Sequence, residues 1–230
     1  MRIAFMHIPK TAGTSIRVAL QEAFGPDNCY VLGLNEPWRE FRKNAKSHAD
    51  TPVLAGHFMI NDIRSVPGPR KTFTVLRDPV DRVLSWYGYL RRREEIALHE
   101  WAALNDAAAF IEKCNEAVMS GDTSPQGMNA REAINGMCRR LDHAGTAEAA
   151  LSMIKQRRIL ALDQSQLDSQ TAQLEAFIET KLDLPRVNVT QKNDRTHVPE
   201  SVRQRIAEVN REDSKLYEIV KARAIARQSS

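Results

Sequence analysis

His7-Ile8-Pro9-Lys10-Thr11-Ala12-Gly13-Thr14-Ser15 separates two stretches of different periodicity. Upstream, Arg2 to Ile8 (RIAFMHI) is a short, nearly continuous apolar run, the pattern of a strand buried on both faces of a parallel sheet. Downstream, Ile16, Ala19, Leu20 and Ala23 recur at helical spacing as far as Phe24. The order is strand, loop, helix. A helix that opens out of such a loop leaves its first N–H groups unpaired and presents the positive end of its dipole, so the turn is a ready anion site. Gly13 lets the backbone come close to a phosphate, Thr14 and Ser15 offer hydroxyl donors, and Lys10 adds a mobile positive charge. Thr11 and Ala12 complete the cradle. A Walker A loop, GxxxxGK[ST], sets its lysine after the glycines. Here the lysine comes first, so the element is similar and the register differs.

Further strands are expected at Cys29 to Leu32, Pro52 to Ala55, Thr72 to Leu76, Ile159 to Leu162 and Val187 to Val189, with helical patterns between them. That alternation predicts an α/β fold, a mostly parallel sheet flanked by helices. From Glu94 to about Ala150 the chain is rich in Ala, Glu and Leu and poor in strand signal, which predicts a helical insertion within a single domain spanning 1–230. Its middle, Ser120 to Asn129 (SGDTSPQGMN), reads as a turn-rich loop. Pro199 opens a final helical region carried by Val202, Ile206, Val209, Leu216, Tyr217 and Val220.

The strand Thr72 to Leu76 runs into Arg77-Asp78-Pro79 and a helix with an apolar stripe at Val80, Val83, Leu84, Tyr87 and Leu90. Asp78 suits the N-cap, Pro79 the first helical position, and Asp81 the positive end of the dipole. Arg77 is thereby expected at the carboxyl edge of the sheet, where open α/β sheets bind ligands, with Ser85 about two turns into the helix. A permanently charged planar fork and a hydroxyl suit a terminal phosphate. His57 follows the strand that ends Ala55-Gly56 and is expected at the same edge. Its ordinary pKa near 6.5 makes it the natural proton acceptor near neutrality. His7 is expected to face the sheet or to support the loop.

The charge balance is +4 with a pI near 9.0, which suits an anionic ligand but equally nucleic acid or a membrane surface. Arg91-Arg92-Arg93, Arg139-Arg140 and Arg157-Arg158 lack interleaved aromatics and read as solvated helix faces, so no nucleic-acid partner is expected. Cys29, Cys114 and Cys138 form no CxxC pair and read as free thiols in a reducing compartment. No run reaches the roughly 18 apolar residues of a membrane span, and a start at Met1 makes the expected location cytoplasmic.

HIPKTAGTS resembles the 5′-phosphosulfate-binding loop of the sulfotransferases, especially the heparan sulfate and uronyl O-sulfotransferase group. LRDPVDRVLSWY is similar to the family's 3′-phosphate element, in which an arginine and a serine eight positions later hold the nucleotide; here these are Arg77 and Ser85. The resemblance implies 3′-phosphoadenosine 5′-phosphosulfate as cosubstrate, adenosine 3′,5′-bisphosphate as product and no metal, because a sulfuryl group carries less charge than a γ-phosphoryl. It implies Lys10 and His57 as catalytic residues, Lys10 to Ser15 with Arg77 and Ser85 as the nucleotide site, and a hydroxyl acceptor, a glycan or small molecule. Leu184 to Lys192 resembles the family's C-terminal strand and covering loop, which would bring Thr190 and Lys192 to the nucleotide. A P-loop kinase and a non-catalytic nucleic-acid-binding module are the alternatives. The kinase would need a lysine after the glycines and an acidic magnesium partner at a strand end.

Overall fold

A computed structural model describes residues 1–33, 38–185 and 198–228. Its sheet has five strands, all parallel: β1 (Ile3–Met6), β2 (Cys29–Leu32), β3 (Val53–Gly56), β4 (Lys71–Leu76) and β5 (Leu160–Asp163), in the order β2-β3-β1-β4-β5. The apolar run that opens the chain becomes the central strand. Side chains alternate across a strand, so one run supplies both faces. Ala4 and Met6 join Leu54, Met137, Leu141 and Leu216 on one side, while Ile3 and Phe5 join Ile16, Leu20, Phe73 and Leu174 on the other.

The second of those faces is covered by α1 (Gly13–Phe24) and α10 (Leu167–Ile178), the first by α8 (Gly136–Leu141), α9 (Ala147–Arg157) and α12 (Arg211–Gln228). Short helices α2 (Trp38–Lys43) and α3 (Ile60–Ser65) flank β3 in sequence. α4 (Pro79–Leu90) leaves β4 with Asp78 as N-cap, its carboxylate accepting from Asp81 N at 2.9 Å, and Pro79 at the first position. Its inner face is Val83, Leu84, Trp86 and Leu90; Trp86 is buried in place of Tyr87, whose hydroxyl donates to Asn105 O at 2.8 Å.

Past α4 the stretch expected to be helical is so, in α5 (His99–Leu104), α6 (Ala107–Met119), α7 (Pro125–Ala130) and α8, and α9 continues beyond Ala150 to Arg157. α5, α6 and α7 pack with α4 and Ile206 of α11 (Glu200–Val209) in a core of their own. The expected loop from Ser120 to Asn129 is shorter than predicted. Asp122 accepts from Ser124, and Ser124 caps a helix that begins at Pro125. Pro199 is the N-cap of α11 rather than its first residue. Arg186 to Lys192, with the predicted strand Val187 to Val189 and both Thr190 and Lys192, lie outside the described residues. Among the described residues no helix is long and apolar enough to cross a membrane.

Candidate active site

The loop after β1 keeps its shape through strain held by hydrogen bonds. Lys10 and Ala12 adopt left-handed backbone, φ 71° and φ 66°, a region that non-glycine residues visit only at a cost. Two contacts hold them there. Thr11, fully buried, donates from Oγ1 to Ile8 O at 2.8 Å, and Arg77 reaches from the end of β4 to donate to Lys10 O at 3.0 Å. α1 then begins at Gly13 with no side-chain cap, so Gly13, Thr14 and Ser15 form its first turn. Uncapped N–H groups beside a lysine fit an anion. The Lys10 ammonium lies 4.4 Å from the centroid of the Tyr89 ring on α4, a cation–π contact. Ser85 precedes Tyr89 by one helical turn and so shares its face, half-buried. Arg77, Ser85 and the loop are thus placed around one end of the sheet, as the sequence predicts.

His57 arrives at this edge because Gly56 permits it. Gly56 has φ 147°, and a β-carbon there would fall 2.2 Å from Leu32 O on the neighbouring strand. His57 N donates to Leu32 O at 3.1 Å, and its Nδ1 lies 3.0 Å from His7 O. A carbonyl can only accept, so Nδ1 carries the proton and Nε2 of the neutral ring keeps its lone pair. Burial holds the His57 pKa well below its ordinary value; the neighbouring His7 and Arg140 add to this, and the bond to His7 O opposes it. The ring is therefore neutral near pH 7, with one nitrogen able to take a proton.

His7 does more than face the sheet. Its ring stacks on Phe5 at 5.6 Å, lies 4.2 Å from the His57 ring centroid to centroid, and fills the space beside Gly13. Burial lowers its pKa to about 3, helped by the charges of Arg140, Arg17 and Lys10. Arg140 corrects the sequence expectation of a solvated face: it is 8% exposed, donates through Nη1 to His57 O, and pairs through Nη2 with Glu132 Oε1 at 2.5 Å. Arg91 to Arg93, Arg157 and Arg158 are exposed as expected. Arg140 and Tyr89 are the site residues that sequence reasoning missed. The periodicity around each is ordinary, and only tertiary packing brings them to the loop.

At the end of β5, Asp163 is fully buried and accepts from Ser165 N and Oγ and from the Tyr217 hydroxyl at 2.9 Å. Cys29, Cys114 and Cys138 are free thiols, the last two buried. Among the described residues no cluster of three His, Cys, Asp or Glu side chains is arranged to hold a metal.

A parallel sheet whose central strand turns through a strained, lysine-bearing loop into an uncapped helix start defines an α/β protein of the P-loop-like kind. A family model described as "Sulfotransferase family" matches residues 1–218, and the chain belongs to that family. Among solved structures, a sulfotransferase from Alicyclobacillus acidocaldarius superposes with a TM-score of 0.54 at 14% identity, covering 96% of this chain and 95% of that one. The likeness is one of fold. No curated protein sequence matches the chain significantly.

Proposed function

We propose that the chain transfers a sulfuryl group from 3′-phosphoadenosine 5′-phosphosulfate to a hydroxyl, with a carbohydrate as acceptor class. The observation that carries this reading is His57: a neutral imidazole, Nδ1–H committed to His7 O, beside an anion-binding loop in a chain of the sulfotransferase family. The cosubstrate supplies an activated sulfuryl group whose leaving oxygen belongs to a phosphate. The first turn of α1 and Lys10 hold that phosphate and neutralise the charge that develops on the leaving oxygen. Arg77 and Ser85 hold the 3′-phosphate. His57 Nε2 takes the proton of the acceptor hydroxyl as its oxygen bonds to sulfur and the bond to the bridging oxygen breaks. Adenosine 3′,5′-bisphosphate leaves, and the proton returns to water from His57.

The kinase alternative loses ground because no lysine follows Gly13 and the acid at a strand end, Asp163, is already engaged by Ser165 and Tyr217. Parallel thermal shifts discriminate among the readings. Adenosine 3′,5′-bisphosphate should stabilise the protein in the presence of a chelator, AMP much less, and ATP with magnesium or an oligonucleotide less again. Equal shifts from the bisphosphate and AMP would remove the 3′-phosphate assignment. The acceptor class is then read from transfer of labelled sulfuryl groups to a panel of glycans and small phenols.

A further inference from the structure

The proposed mechanism leaves one titratable ring at the centre of the site without a task. His7 follows β1, and its N–H continues the sheet by donating to Gly56 O at 2.8 Å. Its side chain lies between two elements that must cooperate. On one side is α1: a β-carbon at Gly13 would fall 1.8 Å from His7 Nε2, so the ring lies directly against the α-carbon that opens the anion-binding helix. On the other side is the His57 ring, 4.2 Å away and tilted by 31°. The His7 carbonyl also fixes His57 by accepting from Nδ1.

Glycine at position 13 therefore has a second reason besides room for the ligand. Any side chain there would meet His7 before it met an anion. We infer that His7 is a positioning residue, a wedge between Gly13 and His57 that sets the orientation of the base by the position of the donor loop. This deepens the proposed function and rests on the reading of His57 as the base. Ring contact on both sides makes the coupling mechanical: a shift of the first turn of α1 moves the His7 ring, and the His57 ring follows. The charged groups that face His7 are Lys10 on the loop, Arg17 on α1 and Arg140 on α8, with His57 at the end of β3; Arg140 and His7 also face His57. All three side chains of fixed charge are cationic, so His7 stays neutral and acts by shape rather than by carrying a proton.

The experiment is a four-protein cycle of wild type, Gly13→Ala, His7→Ala and the double variant, with thermal melts to check folding. Affinity for adenosine 3′,5′-bisphosphate reads the first contact without any need for turnover. Gly13→Ala alone should weaken it roughly tenfold or more, and His7→Ala in the same chain should recover most of that loss, because the β-carbon then has room. An additive double variant overturns the wedge.

Transfer reads the second contact. His7→Ala should lower kcat about 10- to 100-fold with little change in donor KM, the scale expected when a reacting group is misplaced by about an ångström. The acidic limb of its kcat/KM profile should also move upward, toward the ordinary histidine value, as water reaches His57. A residue that only fills space would lower the melting temperature and leave that limb in place, which would overturn the positioning role. If His7→Ala does not fold, His7→Asn, planar and polar but too short to reach Gly13, takes its place in the cycle. The two failures separate. Full transfer by a folded His57→Ala protein overturns the base reading and with it the transmission to the base, whereas additivity at positions 7 and 13 overturns the wedge and leaves His57 its role.

Discussion

Arg77 has two partners to serve. In this structure its guanidinium, 8% exposed, donates to Lys10 O and so braces the strained loop from the end of β4. In the proposed complex the same fork also meets the 3′-phosphate. Arg77→Ala should therefore weaken adenosine 3′,5′-bisphosphate binding by about 1.5–3 kcal/mol, the range for a charge-assisted hydrogen bond. Titration calorimetry at low salt measures it, and an unchanged affinity would withdraw the site. Lys10→Ala should act chiefly on turnover. His57→Ala should keep nucleotide affinity while transfer falls roughly 10²–10⁴-fold. Because the His57 pKa is lowered, the wild-type kcat/KM profile should hold its activity below pH 6.5 before the acidic limb begins. At this scale the sequence was informative about where Lys10, Gly13, Arg77 and His57 lie, since each stands at the end of a strand run or at the start of the helix that follows it. It misread Arg140 as part of a solvated face. A doublet of arginines reads the same whether it faces water or turns inward to a backbone carbonyl and a glutamate, and only the packing of α8 against β3 decides.

Elements carry the site through a reciprocal cap. Asp213, in the first turn of α12, accepts from Met137 N at 3.0 Å and Cys138 N at 2.8 Å at the start of α8, while Asn135 Oδ1, just before α8, accepts from Glu212 N and Asp213 N at 3.1 Å each. Asp213 also faces Arg82 of α4 at 3.4 Å, both side chains fully buried. Nε and Nη1 of Arg82 have no partner among the described residues. Three helices meet on one carboxylate. Asp213→Ala would leave the Arg82 charge buried and uncompensated, so a loss of about 3–5 kcal/mol in unfolding free energy is expected. Urea denaturation checks this, and a loss below about 1 kcal/mol, the ordinary scale of a surface change, would show that the pair is not coupled as drawn. Since α8 also carries Arg140, the folded fraction of that variant should transfer poorly. The strands were legible because short apolar runs bounded by turns leave few alternatives. α7 was not, since Ser124 and Pro125 signal a loop and a helix start equally well until Asp122 and Ser124 are seen to bond.

For the whole molecule, the lowered histidines make stability depend on acid. His7, at about 3, and His57, well below 6.5, bind protons less readily folded than unfolded, and His48 is shifted the same way by burial and by Arg70. Their contribution is complete above the unfolded value near 6.5 and is lost as pH falls from there toward the folded values. Carboxylates lowered by their partners, such as Glu112 and Glu212, lose theirs only below about 4.5. Between pH 6.5 and 4.5 the fall in the denaturation midpoint should therefore report the histidines, and His7→Ala should flatten it; an equally steep fall in that variant would place the acid sensitivity elsewhere. The strand order has a kinetic consequence. The contacts that bring β3 and β4 to the loop join residues far apart in the chain, 50 positions between His7 and His57 and 67 between Lys10 and Arg77. Loop closure must precede every one of them, and a sheet of parallel crossovers folds slowly for that reason. A ribosome-bound chain that has released β1 to β3 already holds the loop and His57, but it lacks the arginine that braces Lys10. On the proposed nucleotide site, the moment at which a growing or refolding chain first retains adenosine 3′,5′-bisphosphate would thus mark the docking of β4 beside β1, and the nucleotide would serve as a clock for sheet assembly.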